Sequence, residues 1–188
     1  MSIPAHEVRE LLSEGEIASR IRELGQEITR DYPDVSEPLL LVGVLKGAVL
    51  FLADLLRAIE RPVEYDFIAV SSYGAATRSP GEVRVLKDLD APVAGKHVLI
   101  VEDILDSGLT LSSLIERLSS RHAKSVRVCV LLDKLARRQT PVPVAYCGFE
   151  IADFFVVGYG LDYAECYRNL RYIGYVIHHS LEDSDSPL

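Results

Sequence analysis

Apolar residues recur at helical spacing near the start of the chain, at Val8, Leu11, Leu12, Ile17, Ile21, Leu24 and Ile28, with an interruption at 13–16. Residues 6–31 therefore predict one or two amphipathic helices, closed by Pro33. The period then changes. Residues 39–45 are a continuous apolar run of strand length, residues 47–59 have the length and pattern of a crossover helix, and residues 63–70 return as a second strand. That sequence of elements predicts a βαβ unit. A second unit is predicted from the apolar run 98–101, a helix over 109–119 and a strand over 126–132. Between the units lies 71–81, SSYGAATRSPG, rich in small and polar residues and flanked by strand candidates at 67–70 and 82–86. It predicts a long hairpin or a mobile loop. Three short strand-like pieces around 146–151, 154–157 and 172–177 predict a small subdomain, and the acidic, serine-rich stretch within 179–188 predicts a frayed tail. The fold class expected is α/β, with a central, mainly parallel sheet flanked by helices. No repeat, low-complexity tract or long linker divides 1–188, so one domain is expected.

Composition narrows the setting. A chain of 188 residues with 48% hydrophobic content can bury about 70% of its unfolded surface without covalent staples. The longest apolar runs are too short to span a bilayer, and the N-terminus does not resemble a signal peptide, so a cytoplasmic protein without a membrane role is expected. Cys129, Cys147 and Cys166 are an odd set without CxxC spacing, which suggests neither disulfides nor a zinc site. A net charge of −8 opposes nonspecific binding to nucleic acid, and no nucleic-acid partner is expected. Lys134, Arg137 and Arg138 form the densest basic cluster; a solvated face is the default reading of the two arginines.

The segment 97–111, HVLIVEDILDSGLTL, carries the strongest chemical signal. Its apolar run reads as a buried parallel strand, and Glu102 and Asp103 follow where that strand emerges at the carboxyl edge of the sheet. Asp106, Ser107, Gly108, Leu109 and Thr110 then make a polar turn into a helix, whose unpaired N–H groups and dipole suit a phosphate. Asp106 or Ser107 could equally be an ordinary helix cap. Two acids beside a phosphate cradle imply a sugar hydroxyl or a bridging cation as neighbour. Leu45, Lys46 and Gly47 stand where the first strand turns into its helix, so Lys46 can project from the same edge. The tripeptide is not a P-loop, since the lysine precedes the glycine.

The string Glu102-Asp103-Ile104-Leu105-Asp106-Ser107-Gly108-Leu109-Thr110 closely resembles the phosphoribosyl-pyrophosphate (PRPP) signature of type I phosphoribosyltransferases, and its Glu-Asp start resembles the hypoxanthine-guanine branch. Four further motifs and a single arginine stand in family order along the chain. Leu45-Lys46-Gly47 is similar to the pyrophosphate loop, in which a cis peptide precedes the lysine. Ser72 and Tyr73 match a flexible loop that closes over the substrates, although by themselves they read as a surface loop. Lys134 stands at the position that donates to the 6-oxo group of the purine, and the segment 154–163 matches the purine pocket. There the resemblance assigns Phe155 to stacking on the base, Val156 to backbone bonds at its edge, and Asp162 to a magnesium-water cluster on pyrophosphate; alternation alone makes Phe155 and Val157 a core strand. Arg168 matches an arginine on pyrophosphate, and its fork suits phosphate oxygens.

The resemblance spans roughly residues 39–177. It implies the type I phosphoribosyltransferase fold, with a small hood built from the N- and C-terminal segments. It implies a purine-salvage enzyme that converts hypoxanthine or guanine plus PRPP to IMP or GMP plus pyrophosphate, uses Mg2+ held near Glu102, Asp103 and Asp162, and forms a homodimer or homotetramer. Asp106 is the expected catalytic base. The chain departs from the family pattern at Ala152 and Phe154, where Pro and Lys are common, and at Ala164 and Cys166, which replace more polar residues. Two other readings remain: an RNA-binding regulator of the pyrimidine-operon attenuation type, disfavoured by the acidic charge and the intact Lys134, Phe155 and Asp162 set, and a xanthine specificity.

Overall fold

The computed structural model describes residues 7–34, 36, 38–72 and 83–177. Two sheets organise it. The larger has six strands, formed by β2 (Leu39–Leu45), β3 (Val63–Ser72), β4 (Val83–Lys87), β5 (His97–Leu105), β6 (Ser125–Asp133) and β7 (Tyr146–Glu150), in the order β4-β3-β2-β5-β6-β7. All neighbours run parallel except the edge strand β4, which is antiparallel to β3. The second sheet has three antiparallel strands, β1 (Glu7–Leu12), β9 (Ile173–Ile177) and β8 (Val156–Val157), and joins the two ends of the described chain.

The strand sequences explain this layering. In β2, Leu39 and Leu41 enter one apolar cluster with the helices α1 (Glu14–Asp31) and α2 (Val49–Ala58), while Leu40, Val42 and Val44 enter another beneath α3 (Leu109–Ser119). Successive side chains of a strand point to opposite faces, so a strand covered on both faces reads as an unbroken apolar run. Helix α1 starts with a reciprocal capping box between Ser13 and Glu16 and buries Ile17, Ile21, Leu24 and Ile28. A Cβ on Gly25 would meet the Ala58 carbonyl oxygen at 2.4 Å, so glycine there permits the close approach of α1 to α2.

Two expectations need correction. Residues 7–12 form β1, paired with β9, rather than helix; the interruption at 13–16 is the cap and first turn of α1. Over so short a stretch the spacing of Val8, Leu11 and Leu12 did not reveal a strand whose partner lies at the far end of the chain. Residues 146–150 extend the main sheet as β7 and do not join the small one. The predicted loop at 73–81 lies outside the described residues, as does 179–188. No described helix is long and apolar enough to cross a membrane. The three cysteines are free thiols, and burial pushes Cys147 up to about 11.

The order of the strands places the site. From β2 the chain crosses to β3 on one side, and from β5 to β6 on the other, so the direction of winding reverses between β2 and β5. Open α/β sheets bind ligands in the crevice at the carboxyl ends of such a strand pair.

Candidate active site

At that crevice a recess of about 230 Å³ is lined by Glu102, Asp103, Asp106, Ser107, Gly108 and Thr110, with apolar walls from β2 and β3. A larger groove of about 580 Å³ lies between α1, α2 and residues 169–171, and it contains none of the acids or hydroxyls predicted to act. Size therefore does not select the site; chemistry and strand topology do.

The turn into α3 suits an anion. Gly108, at φ 87°, precedes α3, and no side chain caps the helix. Ser107 Oγ accepts the Leu109 N–H in a long bond of 3.4 Å, and Asp106 Oδ1 accepts none. The N–H groups that follow Leu109 in the first turn of α3 are thus left for a ligand. The turn is held from behind: Ser107 accepts backbone bonds from Gln139 at 2.9 Å and Thr140 at 3.0 Å. A Cβ on residue 108 would lie 2.4 Å from the Thr140 carbonyl oxygen, so both the backbone conformation and the space require glycine.

Glu102 and Asp103 lie within β5, which runs on to Leu105, beyond the predicted end of the strand. Both are buried. Burial, reinforced by the Asp103 carboxylate, pushes Glu102 well above the usual carboxylate range. Burial also raises Asp103, opposed by the Ile104 N–H and by the charge of Arg168. Acids forced together out of water favour a ligand that supplies hydroxyl donors or positive charge. Among the described residues no three carboxylate, histidine or cysteine side chains converge as a metal cage. The acid pair fits a cation bound through one or two carboxylates, with the remaining ligands supplied by substrate and water.

The loop of Leu45, Lys46 and Gly47 packs directly on Asp103. The Leu45–Lys46 peptide is cis. A Cβ on Gly47 would fall 1.6 Å from Asp103 Oδ2, and one on Gly160 would fall 2.1 Å from the Gly47 carbonyl oxygen. Gly47 is therefore wedged between the acid of β5 and the loop that carries Asp162. On that loop Arg168 bonds the Gly160 carbonyl at 2.7 Å and Asp162 at 2.7 Å, and its Nε is buried without a hydrogen-bond partner among the described residues. Glu165 reaches both Lys46 and Arg168.

The placement of Asp106 and Lys134 is set by register. Leu105 of β5 pairs with Asp133 of β6, so the next residues, Asp106 and Lys134, leave adjacent parallel strands side by side. Lys134 is buried and lies 3.6 Å from Asp153. Asp106 Oδ1 has no hydrogen-bond partner among the described residues, and Arg137 Nε stands 3.5 Å from it. Arg137 also lies 3.7 Å from Asp153, and Arg138 pairs with buried Asp133. The two arginines are thus not merely a solvated face. Phe155 is half-exposed and meets Tyr163 edge-on at 5.3 Å, while Val156 is buried in β8.

Leu45, Glu102, Asp103, Asp106, Ser107, Gly108 and Thr110 line the recess; Lys46, Gly47, Leu109, Lys134, Phe155, Val156, Asp162 and Arg168 do not. Ser72 ends β3, and Tyr73 lies outside the described residues. Sequence reasoning missed Arg137, Asp153 and Glu165. Arg137 carried a signal, being three residues beyond a strand-terminal lysine; Glu165 carried none.

A strand-order reversal flanked by a buried acid pair and a glycine-led helix start defines a ligand crevice of an open α/β sheet. Consistent with this, the family model of the phosphoribosyl transferase domain matches residues 7–164, and the chain belongs to that family. It is 56% identical over 168 residues to a hypoxanthine-guanine phosphoribosyltransferase of Mycobacterium avium, covering 87% of this chain and 83% of that one. It is 52% identical over 172 residues to the hypoxanthine phosphoribosyltransferase of Escherichia coli K12, covering 92% and 97%. Among solved structures, a hypoxanthine phosphoribosyltransferase of Staphylococcus aureus superposes with a TM-score of 0.85 at 47% identity, covering 90% and 91%. A hypoxanthine-guanine phosphoribosyltransferase of Bacillus anthracis, with HEPES in its active site, gives 0.86 at 44% identity, covering 91% and 100%.

Proposed function

We propose that this enzyme performs purine salvage, transferring the phosphoribosyl group of PRPP to hypoxanthine or guanine with release of pyrophosphate and formation of IMP or GMP. The observation that carries the reading is the uncapped α3 turn beside the buried Glu102-Asp103 pair, with Asp106 and Lys134 adjacent on neighbouring strands.

In this mechanism the 5′-phosphate takes the N–H groups of residues 107–110, and the ribose hydroxyls take Glu102 and Asp103. The bond from ribose C1 to pyrophosphate breaks with its electron pair leaving on oxygen, and purine N9 attacks C1 from the opposite face. Asp106 accepts the proton that leaves purine N7, using Oδ1, which makes no hydrogen bond among the described residues and stands 3.5 Å from Arg137 Nε. Lys134 donates to the 6-oxo group; a permanent donor there disfavours adenine, whose 6-amino group is itself a donor. Phe155 stacks on the base, and the Val156 backbone bonds its edge. Lys46 and Arg168 stabilise the negative charge that develops on departing pyrophosphate. Mg2+, held near Glu102, Asp103 and Asp162 when bound, would add Lewis-acid charge on the diphosphate. We further assign the three-stranded sheet as a hood beside the purine, a cytoplasmic location, and a homodimer or homotetramer in solution.

The test is a product balance. With PRPP, Mg2+ and hypoxanthine, IMP and pyrophosphate should form in equal amounts, and pyrophosphate should not form at a comparable rate without the base. Purine-independent release of pyrophosphate, or none at all, would overturn the assignment.

A further inference from the structure

Glu165 has no part in the mechanism above, yet its carboxylate Oε2 lies 3.1 Å from Lys46 Nζ and 3.4 Å from Arg168 Nη2. One oxygen thereby touches both cations assigned to pyrophosphate, which come from loops far apart in sequence. The local backbone is shaped to bring it there. Ala164, Glu165 and Tyr167 all adopt positive φ, at 51°, 65° and 73°, in a turn closed by reciprocal backbone bonds between Tyr163 and Cys166. The Glu165 N–H donates to Asp162 Oδ2 at 2.9 Å, which fixes the turn to the other acid on the same arginine. Left-handed conformations are costly for residues with a Cβ and persist where the surroundings demand them.

Stability does not account for the arrangement. The side chains of Lys46 and Glu165 are each 67% exposed, and ion pairs so open to water contribute little to folding. What they do have is the charge pattern of an occupied pyrophosphate site: two cations, one of them a fork, neutralised by oxygens that a phosphoryl group would otherwise provide.

We infer that Glu165 is a built-in surrogate for the pyrophosphate anion, holding Lys46 and Arg168 when the site is empty and being displaced to solvent when PRPP or pyrophosphate arrives. The inference rests on the reading of Lys46 and Arg168 as pyrophosphate ligands. A competing anion weakens substrate and product alike, so it lowers ground-state affinity and hastens product departure.

The experiment compares the wild type with Glu165→Gln, Lys46→Gln and Arg168→Gln in steady-state kinetics, with Mg-pyrophosphate as product inhibitor. Glu165→Gln removes the charge from an exposed side chain and keeps its shape. It should lower both the KM for PRPP and the inhibition constant of pyrophosphate by about 2–5-fold, leaving the KM for hypoxanthine unchanged. Lys46→Gln should weaken pyrophosphate inhibition. If Lys46→Gln weakens inhibition and Glu165→Gln leaves it unchanged or weakens it too, the surrogate role is wrong although the site is right. If neither Lys46→Gln nor Arg168→Gln alters inhibition, the pyrophosphate site itself is misplaced and the inference falls with it.

Discussion

Gly47→Ala should be among the most damaging single methyl additions available in this enzyme. The new Cβ would lie 1.6 Å from Asp103 Oδ2 and 2.6 Å from its Cγ, whereas real Cβ contacts essentially never fall below 3.0 Å. Either the loop or the carboxylate must therefore move by at least about 1.4 Å. Asp103 is not free to yield, because its Oδ1 accepts the Ile104 N–H at 2.8 Å and the residue is buried. The loop is blocked on its other side by Gly160, whose Cα approaches the Gly47 carbonyl. Overpacking of this kind costs about 1–3 kcal/mol, which for a chain of this length lowers Tm by roughly 2–12 °C. Displacing Lys46 or Asp103 by an ångström should cost kcat/KM about 10²-fold. Calorimetry and steady-state kinetics measure both. The cause is isolated by a double-mutant cycle: in an Asp103→Ala background the clash is gone, so Gly47→Ala should then cost far less stability. A Gly47→Ala enzyme with wild-type Tm and near wild-type kcat/KM, or an equal stability loss in the Asp103→Ala background, would refute the reasoning.

Asp106→Asn should reduce kcat by about 10²–10⁴-fold with little change in PRPP binding, because the amide preserves shape and loses the proton acceptor; near wild-type turnover at saturation would remove Asp106 from that role. Lys134→Gln should raise the KM for hypoxanthine and guanine and narrow the discrimination against adenine, since glutamine can donate or accept; an unchanged preference would place the 6-oxo reader elsewhere. Asp88, held well below the usual carboxylate range by Arg121 and then Arg117, ties the end of α3 to the segment before β5. A lowered pKa stabilises the fold above the unfolded-state value near 4 and is lost as pH falls through the folded value. Asp88→Asn should therefore cost about 1 kcal/mol at pH 7, a small figure because the side chain is 37% exposed, and the two melting curves should converge in acid; a constant gap from pH 7 to pH 2 would contradict it.

The main sheet was legible because its strands are buried on both faces and read as apolar runs: 39–45 coincides with β2, and 109–119 with α3. Strand β1 was not legible, since what makes residues 7–12 a strand is pairing with β9 at the opposite end of the chain, a partner no local period contains. Glu102, Asp103 and the turn 106–110 could be read as a site because strand, acids and helix start are contiguous. The neighbours Asp153 and Glu165 could not, since each meets its partners across elements brought together by register or by left-handed turns. The sequence also could not decide whether Ser107 caps α3; only the position of Gly108 at the helix start resolves it.

The central claim, that the crevice between β2 and β5 transfers a phosphoribosyl group to a 6-oxopurine, is tested most directly by kcat/KM for hypoxanthine, guanine, xanthine and adenine with saturating PRPP and Mg2+. Hypoxanthine or guanine should be preferred over adenine by at least about 10²-fold, the discrimination expected when a buried donor would face another donor. Equal use of adenine, or no transfer to any of the four bases, would contradict it.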